Sequence, residues 1–206
     1  MHIAIVGNIG AGKTTLAHKL AQHFRWEVFL EDVVDNPYLK DFYRDMPRWA
    51  FNLQVYFLNG RFRQTQRIKE LTRAGKGVVQ DRTIYEDAHI FAANLHESGL
   101  LSTRDYNNYY ALFESMISLV EPPDLLLYLR ADLSKLIRQI EQRGRDYENR
   151  ISIEYLKNLN EHYEKWIAGY PGRHLIVDVS EMDYVRDPED LGIVVERINA
   201  TLFGLF

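Results

Sequence analysis

The 206-residue sequence contains no cysteine. That absence excludes a disulfide-stapled scaffold, a thiol nucleophile and thiolate metal sites, and it fits a reducing, cytoplasmic setting. Charge of one sign is scarce too: 25 Lys and Arg against 29 Asp and Glu leave a formal net charge of −4. Proteins that coat nucleic acid or anionic lipid are usually basic, so neither is expected as a principal partner. No stretch approaches the ~20 apolar residues of a membrane span. The start, Met1-His2 before a short apolar run, lacks the charged and apolar regions of a signal peptide. The 6 Pro and 12 Gly are nowhere massed into a linker, and no internal repeat is present. At about 150 residues per domain, the length implies one domain over 1–206. What is abundant is aromatic: 13 Tyr, 10 Phe and 3 Trp argue for a packed core rather than disorder.

Short apolar runs at 3–6, 28–30, 77–79, 125–129 and 175–179 read as strands buried on both faces, as in a parallel sheet. Helical patterns lie between and after them, at 13–24, 48–74, 86–97, 102–120, 134–143, 153–167 and 189–203. This alternation implies an α/β fold: a five-stranded parallel sheet flanked by helices and joined by right-handed crossovers.

Directly after the first run stands Gly7-Asn8-Ile9-Gly10-Ala11-Gly12-Lys13-Thr14, followed by Thr15. It matches G-x-x-x-x-G-K-[ST] between a strand and a helix, the phosphate-binding context. The glycines let successive N–H groups converge on an anion, and the helix N-terminus faces it. Lys13 would reach the β- and γ-phosphates of a nucleoside triphosphate, and the Thr14 hydroxyl would ligate Mg²⁺. The D-x-x-G and N-K-x-D segments of regulatory GTPases are missing, which leaves a small kinase acting on a bound metabolite. In a parallel sheet, ligands bind beyond the carboxyl ends of strands. There the chain carries Glu31 after the second strand and Asp81-Arg82-Thr83 after the third. A carboxylate beside a transferring phosphoryl group can accept a hydroxyl proton, and an arginine can offset the developing charge. Either acid alone also fits a solvated strand end.

These residues resemble the deoxyribonucleoside kinase family, over about 3–166. The resemblance implies a P-loop kinase fold with an arginine-bearing lid near 138–150, where Arg143-Gly144-Arg145 stands. It assigns Glu31 as general base, although many members follow that residue with Pro where this chain has Asp32. It gives Arg82 to the 5′-hydroxyl region and Asp81 to the metal. Tyr43 and Glu148 take the positions that hold the sugar 3′-hydroxyl, while Gln54, Arg61, Asp87 and Phe91 match the residues that read and stack on the base. It also suggests a homodimer through the long helices. Phe57 and the short length look more like purine-directed members, so deoxyadenosine is the expected acceptor and ATP or another nucleoside triphosphate the donor.

Spacing supports part of this independently. Gln54 and Arg61 lie two helical turns apart on one face, and Asp87 and Phe91 lie one turn apart. Ordinary readings stay open: an exposed polar stripe for Gln54 and Arg61, a core aromatic for Phe91, and plain helix termination for Arg143-Gly144. A thymidylate-type kinase would carry an R-E-P-G-G-like segment where this chain reads Leu30-Glu31-Asp32-Val33. A non-catalytic ATP-sensing module is the alternative of a different class.

Overall fold

The apolar runs form strands β1 (His2–Gly7), β2 (Glu27–Phe29), β3 (Val78–Asp81), β4 (Leu125–Arg130) and β5 (His174–Asp178). They pair in the order β2-β3-β1-β4-β5, every pair parallel. The structure is a computed structural model that describes residues 1–31, 36–184 and 186–204. Asp32 and Val33, beside Glu31, lie outside the described residues.

Along β1 successive side chains leave opposite faces of the sheet. Ile3 and Ile5 join a core with Leu16 and Leu20 from helix α1 (Lys13–Phe24) and Val194 and Ile198 from the C-terminal helix. Ala4 and Val6 join a second core with Leu53, Tyr128, Leu159 and Tyr163. The central strands are therefore covered on both sides, as their unbroken apolar runs require. The expectation of two-sided burial fails at the edges: β2 has no fully buried residue and β5 has only Val177. Each has a neighbour on one side only, and the helical layers reach less far over it.

The remaining elements are α2 (Leu39–Arg44), α3 (Met46–Arg73), α4 (Ile84–Glu86), a π-helical turn (Asp87–Ala92), α5 (Ala93–Glu97), α6 (Thr103–Ile117), α7 (Leu133–Arg143), a 3₁₀ turn (Asp146–Arg150), α8 (Ile153–Ala168) and α9 (Pro188–Phe203). Two departures from the sequence reading matter for the site. The single helix expected over 86–97 is interrupted by the π turn, and α2 was not expected. At six residues, α2 is too short to show a period, yet Leu39 and Phe42 bury it. Because β3 pairs with β1 in the register Ile5↔Asp81, Asp81 ends its strand beside Ile5, two residues before Gly7. The Arg82 N–H completes this juncture by donating to the Ile5 carbonyl at 3.0 Å.

Candidate active site

The phosphate loop is built on backbone that only glycine accepts readily. Gly10 and Gly12 have φ of +86° and +88°, in the left-handed region unfavourable to side-chain-bearing residues. A Cβ on Gly10 would sit 2.7 Å from the Leu136 carbonyl, and one on Gly12 would run into the Tyr184 hydroxyl. Gly12 precedes α1 without any side-chain cap, so the first amides of that helix stay open to an anion. Asn8 fastens the loop to α8: its Nδ2 donates to the Leu156 carbonyl at 2.8 Å and to Asn160 Oδ1 at 2.7 Å. The Ala11 carbonyl accepts from the Tyr184 hydroxyl at 3.2 Å. Lys13 Nζ donates to the Asn8 carbonyl at 2.8 Å. Burial lowers its pKa to about 8, helped by Arg82 and opposed by Asp81, Glu86 and Glu31.

Beside Lys13, Thr14 Oγ1 donates to Asp81 Oδ2 at 2.5 Å. The other carboxylate oxygen, Asp81 Oδ1, is buried with no hydrogen-bond partner. A hydroxyl and a carboxylate with one unspent oxygen, both hard donors next to a phosphate loop, fit Mg²⁺. Few protein ligands are needed, because that ion keeps several waters and takes phosphate oxygens.

A cavity of about 250 Å³ opens beyond the strand ends, lined by Glu31, Tyr43, Gln54, Phe57, Asp81, Arg82, Asp87, Phe91, Arg143, Arg145 and Glu148 together with Gly10, Lys13 and Thr14. A groove of about 410 Å³ is lined by Gly10, Gly12, Lys13, Thr14, Thr15, Gln139, Gln142, Arg143 and Arg145. The two share Gly10, Lys13, Thr14, Arg143 and Arg145, so they meet over the phosphate loop. A larger concavity of about 810 Å³ along α5 and α8 contains none of the expected site residues.

At the junction, Glu31 receives Arg61 Nη2 at 2.6 Å and Arg82 Nε at 3.1 Å. Burial alone would raise the Glu31 carboxyl, but Arg82, Arg61 and Lys13 outweigh it and hold the pKa at about 2. The side chain keeps 22 % exposure, toward the cavity it lines. The Arg82 guanidinium lies 4.5 Å from the centre of the Phe91 ring, so here Phe91 stacks on that cation.

Deeper in, Asp87 Oδ2 stands 3.6 Å from Arg61 Nε. Both atoms are buried without a hydrogen-bond partner, and so is Gln54 Oε1. Burial raises the Asp87 pKa to about 7 against the pull of Arg61 and Arg82, with Glu31 and Glu86 adding to the rise. Arg61 does not line the cavity. It lies behind the wall, with Nη2 committed to Glu31 and Nη1 reaching the Asp81 carbonyl at 3.5 Å, which leaves Nε as its unspent donor. Tyr43 stacks on Tyr147 with ring centres 5.7 Å apart. Glu148 is nearly buried and gripped by Arg143, at 2.6 and 3.0 Å, and by Arg145 at 3.4 Å.

Residues 3–203 match the family profile of the deoxynucleoside kinases. The chain belongs to the deoxynucleoside kinase family. It is 43 % identical to the deoxyadenosine kinase of Dictyostelium discoideum, covering 98 % of this chain and 85 % of that protein. It is 39 % identical to the deoxyadenosine/deoxycytidine kinase of Bacillus subtilis (strain 168), covering 97 % and 92 %. The structure of a deoxyadenosine kinase from M. mycoides with bound dATP superimposes with a TM-score of 0.84 at 31 % identity, covering 97 % and 99 %. As a deoxynucleoside kinase the chain is a phosphotransferase.

In this deoxynucleoside kinase two buried residues beside the site escaped the sequence reading. Glu86, fully buried, accepts from the Tyr163 hydroxyl at 2.6 Å, the Thr83 amide at 2.8 Å and the Gly7 amide at 3.4 Å. Thr83-x-x-Glu86 is a capping box, and that S/T-x-x-E spacing was a usable signal. Nothing in the sequence separates Tyr163 from an ordinary core aromatic.

Proposed function

We propose that this deoxynucleoside kinase moves the γ-phosphoryl group of ATP, or another nucleoside triphosphate, to the 5′-hydroxyl of a 2′-deoxynucleoside, with deoxyadenosine preferred. The observation that carries this reading is the Glu31–Arg82 pair, 3.1 Å apart where the cavity meets the phosphate loop. The nucleoside occupies the cavity and the triphosphate the groove. The 5′-hydroxyl loses its proton to a Glu31 oxygen as its O–Pγ bond forms. The bond from Pγ to the β-phosphate oxygen breaks with its electron pair staying on the leaving diphosphate. A carboxylate held so far below neutrality is a weak base, which suits a loose transition state in which the hydroxyl needs orientation first and gives up its proton late. Lys13 and the loop amides hold the donor, Arg82 faces the acceptor oxygen, and Arg143 and Arg145 close from the lid. Thr14 and Asp81 would hold Mg²⁺, which supplies charge neutralisation on the phosphates.

For the base, the cavity wall offers two unspent acceptors, Gln54 Oε1 and Asp87 Oδ2, while Arg61 acts from behind it through Asp87 and Glu31. An exocyclic amine, as in adenine or cytosine, can donate to them. Phe57 on the wall and the names of the relatives favour adenine. Tyr43 and Glu148 hold the 3′-hydroxyl. We place the enzyme in the cytoplasm as one domain. A second copy would pack against α3 and α6, where Leu112 is exposed and Gly60 has open space around it.

Initial rates with the four natural deoxynucleosides and their monophosphates, under excess Mg²⁺-ATP, test this. Deoxyadenosine should give the highest kcat/KM, and Glu31→Gln should lower kcat about 100-fold or more with folding intact. Phosphorylation of monophosphates alone, or near-normal turnover in the Glu31 variant, would overturn it.

A further inference from the structure

Arg82 is fixed on nearly every side. Its backbone has φ of +70°, a region that side-chain-bearing residues avoid and that persists where the surroundings over-determine it. Its Nε is taken by Glu31 and one ring face by Phe91. Nη1 donates to the Tyr163 hydroxyl at 3.2 Å and lies 3.5 Å from Glu86 Oε1. Tyr163 in turn donates to that same Glu86 oxygen at 2.6 Å. Nη2 makes no hydrogen bond among the described residues, so the fork has one donor free while the others set its plane.

The two residues behind this arrangement are chemically expensive for a core. Tyr163 is fully buried and stacks on Tyr128 with ring centres 5.6 Å apart, a packing role a phenylalanine would fill equally well. Glu86 is a carboxylate with no exposure at all, and burying such a group is unfavourable unless its bonds are specific. Its bonds are specific. The oxygen that takes the Tyr163 hydroxyl also takes the amide of Gly7, the first residue of the phosphate loop. The other takes the amide of Thr83, next to Arg82. One carboxylate thus ties the donor loop to the acceptor-side arginine, with the tyrosine hydroxyl as the link between them.

We propose that Glu86 and Tyr163 are positioning residues: through the relay Arg82–Tyr163–Glu86 they hold the Arg82 fork in register with the phosphate loop, so that Nη2 meets the transferring phosphoryl group. This rests on the role given to Arg82 above. Neither residue lines the cavity, so they act on turnover and not on substrate binding.

The test is a double-mutant cycle, because it separates action through Arg82 from general loss of packing. Tyr163→Phe keeps the ring and its stack. It should lower kcat about tenfold, the size of one lost bond to a charged group, with KM for ATP and deoxyadenosine within about twofold of the parent. Glu86→Gln should do the same, read beside its thermal midpoint. In an Arg82→Lys background, where no fork remains to be aligned, Tyr163→Phe should change kcat by less than about twofold. An equal fall in both backgrounds, or a rise in KM with kcat intact, would overturn the relay. So would a fall in kcat for Arg82→Lys alone with Tyr163→Phe unimpaired, which leaves the role of Arg82 standing. Near-normal turnover of the single Arg82→Lys variant would remove that role and the relay with it.

Discussion

Asp87 and Arg61 stand 3.6 Å apart with neither facing atom hydrogen-bonded. A buried ion pair that stops short of contact recovers little of its desolvation cost. The consequence is visible in titration, since burial takes the Asp87 carboxyl from 3.8 to about 7. A group whose folded pKa is raised holds its proton more tightly in the folded chain than in the unfolded one. Its contribution to stability is therefore complete below about pH 4 and is lost as pH climbs through about 7. Glu31 behaves oppositely: its folded pKa of about 2 gives stability that is present above the ordinary 4.5 and disappears in acid. Asp87→Asn removes the first effect and leaves the second. Its thermal midpoint, followed from pH 5 to pH 8, should fall less steeply than that of the parent, because the buried carboxyl no longer has to ionise. Parallel curves for the two proteins would refute the assignment.

Among elements, those fixed by local rules were legible. The phosphate loop lies between its strand and helix as the motif requires, and β1, β4, α1, α3 and α8 follow their apolar spacing within a few residues. What escaped depends on distant partners. The π turn Asp87–Ala92 keeps Asp87 and Phe91 on one side, as an α-helix would, so the pattern does not betray it. The retreat of Arg61 behind the cavity wall is decided by Glu31, 30 positions away. The capping box of Glu86 is local, but its bond to Tyr163, 77 positions on, is hidden for a related reason. The loop itself supports a firm expectation, because Gly12 is constrained twice, by a φ of +88° and by the Tyr184 hydroxyl. Gly12→Ala should cost about 1–2 kcal/mol of stability from the backbone alone, and ATP KM should rise about tenfold or more as the first amides of α1 are displaced. Tyr184→Phe added to it removes the nearest obstructing atom but not the backbone strain. Partial recovery of KM, with the stability loss largely retained, is the expected outcome in coupled assays and thermal melts, and full recovery of both would show that the backbone conformation is unimportant.

At the scale of the whole molecule, the cavity and the groove share a wall, and that wall is occupied with itself. Arg143 and Arg145, which line both spaces, donate to Glu148 through Arg143 Nε and Nη2 and Arg145 Nη1. A triphosphate in the groove must compete with this carboxylate for the same guanidinium groups, and bidentate arginine–carboxylate pairs are among the stronger polar contacts. If Glu148 takes the 3′-hydroxyl of the nucleoside, its hold on the arginines weakens and they swing more cheaply to the phosphates. The two substrates are then coupled, and coupling between sites is reciprocal by thermodynamic necessity. A non-hydrolysable ATP analogue should bind about five- to tenfold tighter with deoxyadenosine present, and deoxyadenosine should gain by the same factor from the analogue. Dideoxyadenosine lacks the 3′-hydroxyl and should leave the analogue's affinity nearly unchanged. Glu148→Gln, which weakens the grip on both arginines beforehand, should bind the analogue well alone and gain little from the nucleoside. Calorimetric titrations in both orders measure these quantities directly. Equal affinities with and without deoxyadenosine, or a gain that dideoxyadenosine reproduces, would mean that the lid arginines leave Glu148 without help from the sugar.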